Sequence, residues 1–244
     1  MIKKKLKSSY SSYKLKIEIN IQGKNINIRD NAAGIHSSDL ERALTAGQKP
    51  KKGTGLSQFG MGMKTAGIWL SDYWDVTTTA LGETAVRKMV FDANKIEKSI
   101  DDINIDKLSS SPKNRGFTIV NLTKCRNITP ADINTLKKFL ASMYRVFIRR
   151  NELQLKYNGE ILKYENPKLS MAPPVDQWDK YLEGEILKKP KSVVWKKKID
   201  LEFNKKNEMS VYGWIGRLDE ETGLTGRKKN DGIAIFRRDR LILG

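Results

Sequence analysis

The stretch LSQFGMGMKTAGIWL, residues 56–70, begins loose and ends apolar. Its first part continues a Lys- and Gly-rich run from Gly47 to Gly55 with no apolar period. Its second part reads as a buried helix starting near Gly62, so Gly60-Met61-Gly62-Met63-Lys64 opens that helix. Glycines at a helix N-terminus free several N–H groups to surround anionic oxygens, and the helix dipole adds to the attraction. Lys64 would add a point charge. The same glycines equally suit a tight turn that lets the helix pack closely. A P-loop needs Gly directly before the Lys-Thr pair, where Met63 stands, and a dinucleotide fingerprint needs Gly or Ala where Thr65 stands. Any phosphate cradle here is of another kind.

Upstream, KLKIEINI (residues 14–21) alternates Leu15, Ile17, Ile19 and Ile21 with polar residues, which predicts a half-buried strand. A turn at Gly23 leads to a second alternating run, Asn25–Asp30, and the hairpin ends in the loop DNAAGI (residues 30–35). A carboxylate at Asp30 would accept a hydrogen bond from an exocyclic amine, and Gly34 would let backbone approach a flat ring. Asp-Asn ahead of Gly is also ordinary turn chemistry. Ser37 or Ser38 is positioned to cap a helix running to about Ala46, with Asp39 and Glu41 in its first turn.

Downstream of the glycine motif, Tyr73–Ala80 and Thr84–Phe91 predict a strand pair. A polar excursion, Asp92–Arg115, leads to the strand GFTIVNL. Pro130 suits a helix N1 position, and Ile133, Leu136, Leu140, Met143 and Phe147 keep helical spacing through Arg149. Asn158-Gly159 marks a hairpin within Leu153–Tyr164. Asn166–Pro174 reads as linker, and three strands follow around Val193–Phe203, Met209–Leu218 and Gly232–Leu243. The pattern is an α/β domain followed by a mainly β segment.

Composition narrows the function. Lys and Arg total 46 against 28 for Asp and Glu, a formal charge of +18 over 244 residues. Such a field attracts polyanions, double-stranded DNA among them. A scattered, solvated Lys-rich surface is the alternative origin of the same number. One cysteine, Cys125, and one histidine, His36, exclude an internal disulfide and a Cys/His zinc site. No window approaches the ~18 apolar residues of a membrane helix, and the basic start has no signal-peptide core. The expectation is a cytoplasmic protein with no membrane partner. The five tryptophans, Trp69, Trp74, Trp178, Trp195 and Trp214, are expected in the core or at domain contacts.

Together the two motifs resemble the GHKL superfamily, named for gyrase, heat-shock chaperone, histidine kinase and MutL. That family sets an Asp-x-x-Gly motif after a strand, then a mobile lid, then Gly-x-Gly at the head of a helix. Here the order is the same, with one extra residue in the first motif, and LSQFGMGMKTAG looks like the lid end of MORC-type and heat-shock-chaperone ATPases. The resemblance implies a Bergerat-type α/β (α+β) sandwich, a mixed sheet covered by helices, followed by part of a β-rich, transducer-like (S5-like) domain. It implies an ATP-binding domain over 1–165, a linker over 166–190 and the start of the second domain over 191–244. Asp30 would bind the adenine amino group, with Asn31 and Gly34 in the base pocket. Main-chain N–H groups of Phe59, Gly60, Met61, Gly62 and Met63 would hold phosphates, assisted by Lys64. Arg115-Gly116-Phe117-Thr118-Ile119 is similar to the family's late Gly-Thr-x-Ile strand. Phe117 takes the usual Thr place, which makes Thr118 the adenine-pocket candidate. DGIAIFRRDRLILG looks like a strand of the transducer-like domain, in which Lys228 or Lys229 would reach the γ-phosphate.

The family's Glu-x-x-x-Asn helix, which supplies the general base and the Mg²⁺ ligand, should precede KLKIEINI. Met1–Tyr13 contains neither Glu nor Asn. A truncated frame and a degenerate relative both account for this. The expectation is ATP binding with little or no hydrolysis by this chain, and Mg²⁺ only where that helix is present. In complete form, ATP would join two protomers into a homodimeric clamp on DNA. A chaperone-like ATPase acting on protein clients and a non-catalytic nucleotide sensor are the other readings.

Overall fold

A computed structural model describes residues 13–45, 47–48, 61–92, 105–126, 129–166, 168–204, 209–216 and 233–243. The chain divides into two compact units, Met1–Tyr164 with Phe236–Arg240, and Glu165–Ile235 with Leu241–Gly244.

The first unit begins with β1 (Leu15–Gln22) and β2 (Asn25–Asp30), joined at Gly23 in the left-handed conformation. A 3₁₀ turn, Ser37–Asp39, runs into α1 (Leu40–Leu44). The cap of that turn is His36, whose ring accepts the Ser38 N–H, rather than a serine. Then come α2 (Gly62–Leu70), β3 (Tyr73–Thr79), β4 (Ala85–Asp92), β5 (Ile105–Ser110) and β6 (Phe117–Thr123). α3 (Pro130–Met143), α4 (Arg145–Arg149), β7 (Leu153–Tyr157) and β8 (Glu160–Ile161) follow. Among the described residues, the eight strands form one sheet in the order β5-β4-β3-β6-β2-β1-β7-β8. Every pairing is antiparallel except β1 with β7, so the sheet is mixed.

The register sorts the side chains into rows across five strands. Ile21, Ile26, Leu122, Trp74 and Phe91 form one row, and Ile19, Ile28, Val120, Val76 and Met89 the next. Both rows face the core, where Leu40, Met63, Leu70, Ile133, Leu136, Leu140 and Ala141 from the helices pack on them. The opposite face is polar: Asn27 donates to Asn121 at 2.6 Å, and Asn121 donates to Asp75 at 3.0 Å. This is the helix-covered α/β sandwich expected from the sequence.

Three local expectations differ from the structure. β5 lies within the polar excursion; all six of its residues are exposed, so it carries no apolar alternation to read. The helix expected through Arg149 breaks at Tyr144 into α3 and α4. Trp69 is 68% exposed, whereas Trp74 is buried. α2 buries Lys64 and Gly67, and Trp69 falls on its other side.

The second unit contains β9 (Met171–Ala172), α5 (Val175–Leu182), β10 (Val193–Val194), β11 (Lys196–Asn204) and β12 (Met209–Gly216). β9 pairs with β10, and β11 with β12, both antiparallel. The final segment forms a hairpin, β13 (Ile235–Arg237) and β14 (Arg240–Leu243), in place of one strand. Its turn, Arg238-Asp239, has φ of 50° and 66°, positions usually taken by Asn-Gly. Among the described residues, no helix is long and apolar enough to cross a membrane.

α2 sits against the sheet through Gly67. A Cβ there would lie 2.4 Å from the Trp74 ring, which itself stacks on Phe91 at 3.8 Å between centroids. Gly67→Ala should therefore cost about 1–3 kcal/mol in urea unfolding, as overpacking of a tight core does. Gly62→Ala, with no described atom within 4 Å of the new methyl, should be near neutral.

Candidate functional site

A third row of the same register breaks the apolar pattern: Ile17, Asp30, Thr118, Thr78 and Arg87. It lies beside the Ile19–Met89 row, at the edge of the core face. Paired residues of antiparallel strands point to the same side, so Asp30, Thr118 and Thr78 are neighbours. The Asp30 carboxylate accepts the Ala32 N–H at 2.9 Å. Burial raises its pKa, and the N–H groups of Ala32 and Thr118 partly offset that rise. Thr78 is fully buried and joins three segments. Its hydroxyl donates to Phe117 O at 2.9 Å, accepts from Ile35 N at 3.0 Å, and stands 3.4 Å from the Thr118 hydroxyl. Sequence reading passed over Thr78; the available signal was its inward parity on β3.

Two glycines hold the loop of residues 30–35. Gly34 has φ of +69°, and a Cβ there would lie 1.9 Å from the Thr79 carbonyl oxygen. Gly116 lies on the other side, where a Cβ would lie 2.5 Å from Ala32 O. The close approach anticipated at Gly34 is thus made by the chain's own backbone. The Leu81 N–H donates to Ala33 O at 2.8 Å and completes the join. Asn31 is occupied locally: its side chain accepts from Lys16 N at 2.7 Å and donates to Lys14 O at 3.2 Å. It braces the loop against the start of β1.

Met61, just before α2, makes no side-chain cap, and the first-turn N–H groups, as at any helix start, have no intrahelical partner. Gly62 is exposed, and no described atom would meet a Cβ on it. Met63 packs on the core. Lys64 has a partner other than phosphate: its buried ammonium donates to Ala43 O at 2.7 Å and ties α2 to the end of α1. Desolvation lowers its pKa, and the Arg42 charge lowers it further. Phe59, Gly60, Lys228 and Lys229 lie outside the described residues. The structure therefore brings Asp30, Asn31, Gly34 and Thr118 together at one loop and sets Met61, Gly62, Met63 and Lys64 on the neighbouring helix.

A cleft of about 340 Å³ opens between Ala33–His36, Asp39 of the 3₁₀ turn, Arg42 of α1, and the Ala80-Leu81 turn. It shares Gly34 with the site, but Asp30 does not line it. Its rim is fixed by Glu83, whose carboxylate accepts from the Ser37 hydroxyl, Ser37 N and Arg87, with the His36 ring 3.2 Å away. The Ser37 hydroxyl contributes most to lowering the Glu83 pKa to about 2, and Arg87 also lowers it. Among the described residues, no group of three His, Cys, Asp or Glu side chains is placed to hold a metal.

Residues 3–129, just over half of the chain, match the family model of histidine kinase-, DNA gyrase B-, and HSP90-like ATPases. The chain belongs to that family, and its first unit is a GHKL-type ATP-binding domain. Among solved structures it is similar to the ATPase region of Saccharomyces cerevisiae topoisomerase II, at 15% identity, 66% of this chain, 46% of that chain and a TM-score of 0.45. It is also similar to the ATPase and transducer domains of DNA topoisomerase II from Balamuthia mandrillaris, at 18% identity, 60% and 42% coverage and a TM-score of 0.41. The chain spans less than half the length of these structures. No curated protein matches the sequence.

The Glu83 network gives a pH test with a fixed sign. Its carboxyl titrates near 2 when folded against 4.5 for an unperturbed glutamate, so the network stabilises fully above 4.5 and fades as pH falls toward 2. Glu83→Gln should show its largest stability deficit near neutral pH in urea unfolding. That deficit should shrink as both proteins are acidified through this window.

Proposed function

We propose that this chain is the nucleotide-binding module of an ATP-gated clamp that acts on DNA. The observation that carries the nucleotide half is the Asp30–Thr118–Thr78 row, a half-buried carboxylate with two hydroxyls in succession on one side of it, at the edge of an otherwise apolar face. Asp30 accepts the exocyclic amine of adenine, and Thr118 and the Gly34 backbone complete the base pocket. The residues present suit such a ligand: an amine meets an acceptor at Asp30, and phosphate oxygens meet the uncapped first turn of α2. Main-chain N–H groups from Phe59 to Met63 hold the phosphates, and Lys64 acts from behind by fixing α2 to α1. On the same reading Lys228 or Lys229 would be the γ-phosphate lysine, and the second unit the start of a transducer-like domain. ATP held there would supply the energy of closing a lid and joining two protomers, and Mg²⁺ would take part in hydrolysis only where a Glu-x-x-x-Asn helix is present.

The DNA half rests on the charge of +18, which favours a polyanion over an ordinary protein client. Such a module works in the cytoplasm or wherever its DNA lies.

Asp30→Asn should weaken ATP binding at least about tenfold, because removing a charge-assisted hydrogen bond costs about 1.5–3 kcal/mol. The fold should persist, since the amide oxygen still accepts the Ala32 N–H. Calorimetric affinity equal to that of wild type would remove Asp30 from the pocket.

A further inference from the structure

We propose that an arginine cluster assembled from α4 and the Arg238-Asp239 turn is a docking surface for the phosphate backbone of duplex DNA. The proposal rests on the DNA reading above and names where on the first unit the duplex is held.

The two segments, residues 145–152 and 236–240, are far apart in sequence and meet in space. The Arg145 guanidinium lies 4.3 Å from the centre of the Phe236 ring and 5.1 Å from that of Tyr164, and it donates to the Ser142 hydroxyl at 3.0 Å. Arg145 itself is 5% exposed, so it serves as the anchor of the join. Arg150 closes the other side with a 2.6 Å ion pair to Asp239.

The join gathers Arg145, Arg149, Arg150, Arg237, Arg238 and Arg240 against two carboxylates, Glu152 and Asp239. Arginine occurs 13 times in the chain and lysine 33 times, yet these two segments hold six arginines and no lysine. A lysine-rich surface scattered by composition alone would not sort the two cations in this way. The guanidinium is a planar fork that matches a phosphate bidentately, which the compact lysine ammonium does not.

Geometry points the same way. Arg238 and Asp239 occupy left-handed backbone, at φ 50° and 66°, where Asp is tolerated but Arg is uncommon. The Arg150–Asp239 pair and the Arg145–Phe236 stack hold the turn against α4, so an arginine stands at its apex. Arg149, Arg150, Arg237 and Arg238 are exposed, while Val146, Phe147 and Ile148 between the arginines of α4 are half-buried. The α4 side thus offers charge without an apolar wedge, while the hairpin exposes Ile235, Ile242 and Leu243, so lipid is tested beside DNA.

The test compares Arg149→Ala/Arg237→Ala/Arg238→Ala with a control triple, Lys107→Ala/Lys113→Ala/Lys138→Ala, which removes the same charge from exposed sites elsewhere in the unit. A third variant replaces the same three arginines by lysine, which keeps the charge and guards against loss of fold. Affinity for a short duplex is measured from about 50 to 200 mM salt, alongside binding to phosphatidylserine vesicles. Each phosphate contact contributes about −0.9 to the slope of log affinity against log salt, so the arginine triple should flatten it by roughly 2–3. The control should change it by less than about 0.5, and the lysine triple should keep the slope with weaker affinity. Equal losses from the arginine and control triples, with DNA still bound, would overturn the surface and leave the DNA reading standing. An arginine triple that loses vesicles but keeps DNA would overturn it in favour of lipid. A wild type that binds no duplex at about 50 mM salt would remove both the surface and the DNA reading.

Discussion

The carbonyl oxygen of Thr79 occupies the place where any other residue at position 34 would put its Cβ. This contact joins the loop after β2 to the end of β3, and Gly116 makes the matching contact from the start of β6. Between them the loop has backbone neighbours on two sides and a hydrogen bond to Leu81. Asp30, the last residue of β2, is therefore followed by a loop with little freedom and sits in a row set by five strands. A carboxylate held this way meets its ligand without first being ordered, which is where preorganised sites gain affinity. The neighbouring helix is set by a similar device, Gly67 against Trp74, with Lys64 tying it to α1. Both halves of the site depend on absent side chains as much as on present ones.

Much of this was legible from the chain alone. The alternation of KLKIEINI and NINIRD set the hairpin, its inward face and the position of Asp30 at its end. The apolar run after GMGMK placed a helix beginning near Gly62, where α2 begins, but as a buried one, whereas only its Lys64 and Gly67 are buried. The shift from Gly-Thr to Gly-Phe-Thr was legible as a departure, and the register explains it: Thr118 pairs with Asp30 and Thr78, whereas Phe117 pairs with Thr79.

What sequence did not carry was long-range. Gly116 was legible only as part of the late strand motif, because Ala32 and Ala33, its neighbours, lie some eighty residues away. Lys64 beside two glycines looked like a phosphate ligand because no local pattern announces the Ala43 carbonyl. β5 had no apolar alternation, its Ile105 and Leu108 being exposed, and the Arg238-Asp239 turn had none of the Gly or Asn that marks a hairpin. The same gap hid the arginine cluster, since RVFIRR read as the end of a helix and FRRDR as part of a strand, with nothing local to join them.

The most direct measurement is a titration of the isotope-labelled protein with ATP and, separately, with GTP, followed by amide NMR. ATP offers an exocyclic amine to Asp30, whereas GTP offers a carbonyl at the same ring position, and a site built around that acceptor should reject it. The expected result is that ATP shifts the amides of Ala32, Gly34, Thr118, Gly62 and Met63, while GTP at the same concentration moves those of residues 30–35 little. Equal shifts from both nucleotides, or ATP shifts that leave residues 30–35 untouched, would contradict the placement of adenine at Asp30.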